Sequence, residues 1–335
     1  MPNPKVPTRS EGRRIAVLCN PRSGRVLREL DAVRELGREL GGEFYREAAE
    51  PREIAQALGD LTERGIGTLC VVGGDGTVHG ALTALHALGP EEPWPVIAPV
   101  PGGSTNMTAQ DLGAGGSLME RLLAIRAFRN GEGRRGPGTD GALVSRPMLC
   151  VEHGKNAVRC GMFFGAGAVA DGVRFFDQRL RGLQLGDRNT SGLSIARVLF
   201  SLAVGGTRGE SVGCSVTSAV DGHPPTDYLC IFCLASTLHR LVLGTRPYWG
   251  EEDGPVHFTL VEKSARAFWR SLPRIARGRR GAKLTPERGY LSQNANAVEL
   301  TFDGPFVVDG EVYHARASDG PCRITAPRIV SWLVP

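Results

Sequence analysis

Between residues 13 and 113 the chain alternates short apolar runs with helical patterns four times, and this alternation restricts the fold more than any other feature. "RRIAVLCN" (13–20), the weaker "GGEFYRE" (41–47), "GTLCVV" (67–72) and "PVIAPV" (95–100) read as strands. After the first, Leu27, Leu30, Val33, Leu36 and Leu40 recur at helical spacing. "PREIAQALGDLTERG" opens on Pro51 and closes on a glycine, as helices do, and "TVHGALTALHAL" is a third helix. Parallel neighbours need crossovers, and a helix is the usual one, so this half predicts a doubly wound, Rossmann-like α/β sheet.

Three of the strands run into loops of unusual composition: "NPRSG" (20–24), "GGDGT" (73–77) and "PGGSTN" (101–106). Loops at strand C-termini are where open α/β sheets bind ligands. Glycines let backbone N–H groups approach a phosphate closely, and a helix N-terminus adds a favourable dipole. Asp75 would be repelled by a phosphate unless it held a cation or a ribose hydroxyl, which points to a Mg²⁺-nucleotide. Ser104 or Thr105 can donate to a phosphate or cap the next helix. The plain alternative for GGDGT is a tight turn with no ligand.

Beyond residue 128 a Gly-rich charged segment, "RNGEGRRGPGTDG", gives way to many short apolar runs separated by turns. "GALVSRPMLCVE", "GMFFGAGAV", "SVTSAV", "TDYLCIFCLA", "PVHFTLVE", "AVELTF" and "FVVDGEVYHA" predict a mostly β domain, a sandwich or barrel, with helices around 191–204 and 263–277. The expected division is a disordered tail at 1–12, an α/β nucleotide domain at 13–140 and a β-sandwich at 141–330. "VVDGE" (307–311) reads by itself as an Asp-Gly hairpin.

In this order and spacing, NPRSG, GGDGT, PGGSTN and the late DGE resemble the diacylglycerol kinase catalytic-domain family, which includes bacterial lipid kinases and the sphingosine and ceramide kinases. The resemblance runs from about residue 14 to 325. It implies an α/β nucleotide domain with a C-terminal β-sandwich and an active site in the cleft between them. It implies ATP and Mg²⁺ as cofactors and a diacylglycerol-like lipid as acceptor. Carried over by position, Asn20, Gly24, Gly73, Gly74, Asp75, Gly76, Thr77, Gly102, Gly103, Ser104, Thr105 and Asn106 would bind the nucleotide. Asp309 would be the base on the lipid hydroxyl, with Glu311 supporting it, and Asp75 and Glu311 would meet the metal. The chain departs from the family at Met107, where many members carry an aspartate. It also lacks a nucleotide-contacting threonine in "FYREAAEPRE", where Arg46 or Glu47 sits nearby. A NAD kinase shares GGDGT but needs neither PGGSTN nor a late DGE. A non-catalytic lipid- or nucleotide-binding regulator on the same fold is the alternative of another class.

The remaining features concern surroundings. Net charge is +5, which fits anionic ligands or an anionic membrane. The eight cysteines sit mostly in strand-like runs, as buried free thiols do, and the lone CxxC at Cys230 and Cys233 has no second ligand pair. The N-terminus lacks the apolar core of a secretory signal, and no run reaches the ~18 apolar residues of a membrane span. A cytoplasmic protein, peripheral at the inner membrane face, is expected, and a homodimer is compatible. Residues 265–283 hold Arg266, Arg270, Arg274 and Arg277 with Phe268, Trp269, Leu272 and Ile275, the composition of an anionic-membrane contact or of a helix packed on the sandwich. No nucleic-acid module is recognisable. His79 and His86 fall near one face of the helix after GGDGT, and His79 reads as a helix-surface histidine, with a nucleotide contact as the alternative.

Overall fold

The computed structural model describes residues 14–89, 93–131, 143–154, 158–170, 173 and 213–335. The expected tail, the Gly-rich segment past residue 131 and the helix around 191–204 lie outside them. The chain forms two compact units, residues 1–147 with 328–335, and residues 148–327. The C-terminal segment thus returns to the first unit, a closure that two consecutive domains do not contain.

The first unit begins with strand β1 (Ile15–Cys19), helices α1 (Gly24–Arg28) and α2 (Leu30–Gly41), strand β2 (Tyr45–Glu47) and helix α3 (Pro51–Glu63). Strand β3 (Thr68–Gly73), helix α4 (Asp75–Leu88), strand β4 (Val96–Pro101) and helices α5 (Met107–Asp111) and α6 (Leu118–Asn130) follow. The single helix expected over 27–40 is divided at Glu29, whose ψ of 26° leaves the helical range. The strands pair in parallel in the order β4-β3-β1-β2, and Trp332 pairs in parallel with Ile97 beyond β4. Alternate residues of a strand face opposite sides. Ile15, Val17, Cys19, Cys70 and Val72 pack with Val33, Leu36 and Leu40 of α2 and Leu118, Leu122 and Ile125 of α6. Ala16, Leu18, Leu69 and Val71 are equally buried on the other side, where α3 and α4 contact the strands. Helices on both faces of a parallel sheet make this the predicted doubly wound layer.

The second unit is antiparallel. β5 (Leu143–Glu152) enters it and pairs with β6 (Val158–Gly161). Then come β7 (Phe163–Gly167), β8 (Cys214–Val220), β9 (Thr226–Ser236), β10 (Val256–Glu262), helix α7 (Phe268–Ala276), β11 (Tyr290–Ala295), β12 (Ala297–Thr301), β13 (Gly304–Val308) and β14 (Glu311–Ala315). The last strand, β15 (Cys322–Leu333), leaves it. β9 is shared by two ladders. Its C-terminal half lies between β7 and β10, and its N-terminal half pairs with β8, which continues through β12 to β15. One core collects Phe164, Val216, Cys233, Phe258, Leu300, Phe306 and Ile324 from these strands. A smaller cluster of Trp249, Val261, Ile275, Leu284 and Tyr290 covers another part of the unit. β11 and β15 were not among the strands read from sequence: "YLSQNA" is polar, and "CRITAPRIVSWL" carries a proline and two arginines.

Candidate active site

The three loops of the first unit meet. Asn20 donates its amide N–H to Val72 O (2.9 Å), and its side-chain Nδ2 donates to Thr77 Oγ1 (3.0 Å). Arg25 N donates to Gly102 O and Gly102 N to Gly73 O, both at 2.8 Å. Asn106 closes its own loop, accepting from Gly103 N at 2.7 Å and donating to Gly103 O at 2.8 Å. The glycines have a packing reason. A Cβ on Gly103 would lie 2.5 Å from Gly74 Cα, and one on Gly102 would lie 3.0 Å from Gly73 Cα. The GGDGT and PGGSTN backbones touch each other, so a side chain on either loop would push them apart.

Asp75 has a role that needs no cation. Helix α4 begins at Asp75 rather than at Thr77, so the carboxylate sits in the favourable first turn. It is 8% exposed. Its Oδ2 accepts from Thr105 Oγ1 (2.8 Å) and Met107 N (2.9 Å), and its Oδ1 accepts from Thr108 N (3.0 Å). The N-terminus of α5 is therefore capped by a side chain some thirty residues upstream. Its own N-cap, Asn106, is left-handed (φ 49°) and makes no side-chain cap bond, and neither Ser104 nor Thr105 caps it. Two N–H groups and a hydroxyl thus offset its charge from within the protein.

The predicted nucleotide residues separate into two groups. Gly73, Thr77, Gly102, Gly103 and Asn106 are buried and hold the loops together. Asn20, Gly24, Gly74, Gly76, Ser104 and Thr105 are partly or fully accessible, and they are where a phosphate could approach.

In the second unit, β13 and β14 join through a two-residue corner, Asp309 (φ 48°) and Gly310 (φ 92°), with Val308 opposite Glu311. The plain hairpin reading holds for the backbone, since both corner residues have the positive φ of a tight hairpin turn. The side chain does something more. Asp309 is 4% exposed. Its carboxylate accepts from Met162 N (3.0 Å to Oδ2) and Phe163 N (2.9 Å to Oδ1), at the junction of β6 and β7. Glu311 is exposed on β14. Two neighbours escaped the sequence reading. The Arg159 guanidinium lies 4.2 Å from the Tyr313 ring centroid. The Tyr313 hydroxyl is pushed up first by burial and then by the charge of Glu311, while Arg159 pulls it back. Arg159 lies in a short strand with no distinguishing pattern, so only the β6 fold could bring it there.

Residues 14–135 match the sequence model of the diacylglycerol kinase catalytic domain. This stretch belongs to the diacylglycerol kinase catalytic-domain family. At family level the match supports a lipid or nucleotide kinase. Three solved structures from Bacillus anthracis str. Sterne share the fold. One protein, provisionally named a diacylglycerol kinase, is 15% identical over 96% of this chain and 97% of its own, with a TM-score of 0.62. A second such protein is 14% identical over the same shares, also with a TM-score of 0.62. A third, described as a diacylglycerol kinase, is 14% identical over the same shares, with a TM-score of 0.56. No curated protein matches the chain.

Against the diacylglycerol kinase pattern, Met107 offers its backbone N–H to Asp75 while its side chain is 7% exposed and brings no ligand. Arg46 and Glu47 are committed elsewhere: Arg46 pairs with Asp60, and Glu47 accepts from Arg34 Nε (2.8 Å), Arg34 Nη2 (2.9 Å) and Tyr45 Oη (2.9 Å). His79 is buried, contrary to the expected surface position, because α4 packs on the sheet and against α3. Cys230 and Cys233 are buried β9 thiols, as read. Burial raises the Cys19 thiol to about 11 and the Cys322 thiol to about 12, so neither is a reactive thiolate near neutrality. Helix α7 turns Ile275 and Phe268 into the smaller cluster, while Trp269 stays 54% exposed. Among the described residues no helix is long and apolar enough to cross a membrane.

Proposed function

We propose that the protein is an ATP- and Mg²⁺-dependent lipid kinase that transfers the γ-phosphoryl group to a hydroxyl of a diacylglycerol-like lipid. It would work as a cytoplasmic protein at the inner membrane face and touch anionic lipid through residues 265–283. The observation that carries the reading is the Asp309 carboxylate, buried on a positive-φ corner and fixed by two successive backbone N–H groups. Asp-Gly corners ordinarily need no buried side chain, and a held carboxylate suits proton transfer, where geometry comes before pKa. Asp309 would accept the proton of the acceptor hydroxyl as its oxygen bonds to the γ-phosphorus and the bond to the ADP oxygen breaks. Phosphoryl transfer otherwise asks mainly for positioning. The accessible set Asn20, Gly24, Gly74, Gly76, Ser104 and Thr105 would supply it on the donor side.

The residues fit Mg²⁺ in a modest way. Within the first unit, Asp75 Oδ1 accepts one protein hydrogen bond and keeps a second lone pair for the ion. Mg²⁺ in phosphate sites commonly takes one or two carboxylates with phosphate oxygens and water. Bound there, it would neutralise charge on the phosphate oxygens. The non-catalytic regulator draws on a specific observation, the full use of Asp75 Oδ2 by the protein itself.

The test is label transfer from γ-labelled ATP to a total lipid extract with Mg²⁺, comparing wild type with Asp309→Asn. A labelled lipid made only by the wild type supports the kinase and identifies the acceptor. ATP binding without any labelled lipid selects the regulator.

A further inference from the structure

We propose that the second unit carries a binding site for a phosphate monoester, built where the loop after β9 meets the end of α7. This goes beyond the kinase reading and does not depend on it, and it sharpens the membrane contact assigned to residues 265–283. An open cavity of about 720 Å³ is lined by His239, Arg240, Arg246, His257, Arg277 and Arg279, with Gly244 and Ala276. Among the described residues no carboxylate lines it. The neighbouring acids are held outside: Glu251 pairs with Arg280, and Glu252 accepts from Asn294 N at 2.9 Å.

The basic groups are assembled by tertiary structure rather than by one run of sequence. Arg246 N donates to Ala276 O (2.8 Å), tying the two segments together. Gly278, at φ 58°, lets the turn after α7 press onto residues 246–248, where a Cβ would lie 2.4 Å from both Arg246 O and Tyr248 O. Arg277 is braced by one hydrogen bond from Nη1 to Pro273 O (3.1 Å). His257 is set from two sides. Its ring stacks on Tyr248 with centroids 4.8 Å apart. Asn294 Nδ2 donates to Glu252 O (2.9 Å), which orients the amide so that its Oδ1 accepts from His257 Nδ1 at 2.7 Å. Nε2 is then the ring atom left for a ligand, and in that tautomer it accepts, as from a protonated oxygen of the monoester.

Arg246, Arg277 and Arg279 bring like charges to one cavity, and an anion bound there would offset their repulsion. A phosphate monoester brings nearly two negative charges and three acceptor oxygens, the geometry that guanidinium forks recognise. The position adds meaning. Asp309 N donates to Phe163 O, and Phe163, Ser236, His257 and Asn294 lie in register across β7, β9, β10 and β11. The cavity therefore shares one end of this ladder with Asp309, three strand spacings or roughly 14 Å away. Leu243, beside the cavity, is 61% exposed, and its chemistry suits a lipid source for the phosphate.

The experiment measures binding by titration calorimetry and vesicle sedimentation on the full chain. One arm uses glycerol 3-phosphate, and the other compares phosphatidylcholine vesicles with and without phosphatidate. Binding in either arm, reduced at least about tenfold by Arg277→Gln with Arg279→Gln and unchanged by Arg280→Gln, supports the site, and the responding arm names the source. No binding in either arm, or equal loss in Arg280→Gln, overturns it. Circular dichroism of each variant confirms folding, and Gly278→Ala, which moves the turn without removing charge, should weaken binding as well. Because no ATP is present, failure here leaves the label-transfer result untouched.

Discussion

Two buried aspartates, one in each unit, are held alike: Asp75 accepts from Met107 N and Thr108 N, and Asp309 accepts from Met162 N and Phe163 N. The surroundings differ. At Asp75 the side chain holds the backbone, since it caps α5 and ties Thr105 to a loop pair packed glycine on glycine. At Asp309 the backbone holds the side chain, since the β6–β7 junction fixes a carboxylate on a hairpin corner whose shape Asp309 and Gly310 already supply. A carboxylate offered to a reaction can thus be part of the scaffold or be presented by it, and the two should fail differently when changed.

The largest expected effect is on turnover. Asp309→Asn should lower labelled-lipid formation by about 10²–10⁴-fold, the usual contribution of a positioned base. Its melting temperature should fall only modestly, because asparagine tolerates a positive φ and its one oxygen can still accept from both Met162 N and Phe163 N, at 3.2 and 2.9 Å in the aspartate geometry. Retained activity removes Asp309 as the base. Asp75→Ala should break the comparison from the other side. It strips acceptors from two buried N–H groups, so a loss of about 1–3 kcal/mol in urea denaturation is expected, together with weaker ATP binding. An unchanged denaturation midpoint would show that α5 does not depend on this cap. Gly103→Ala tests the loop contact without touching any carboxylate, and overpacking against Gly74 should cost about 1–3 kcal/mol. Met107→Leu should do least. The bond to Asp75 comes from the backbone, and a swap of similar volume costs less than about 1.5 kcal/mol, so transfer and melting should both stay close to wild type. A marked loss of transfer would give the Met107 side chain a role the geometry does not.

Much of the fold was legible. The strands β1, β3 and β4 are continuous apolar runs because both faces of a parallel sheet are covered, and the helices between them carry periodic leucines. β11 and β15 were illegible because β11 is polar and β15 is interrupted by a proline and two arginines, and their pairing partners lie far away in sequence. In the site, the loops and the late Asp-Gly corner were visible as unusual residue choices. Their bonds were not, because residues 75 and 105–108, or 162–163 and 309, meet only after the chain has closed.

The sequence by itself determined the α/β order of the first unit, the β texture of the second and the residues worth asking about, since periodicity and turn chemistry are local properties. Only the tertiary structure decided that the glycines serve loop-on-loop contact, that Asp75 caps a distant helix and that Asp309 is turned inward. It alone gathers Arg240, Arg246, Arg277 and Arg279 around one cavity. Each of these is a meeting of segments distant along the chain, and which backbone donor finds which carboxylate is settled by packing, on which local pattern carries no information.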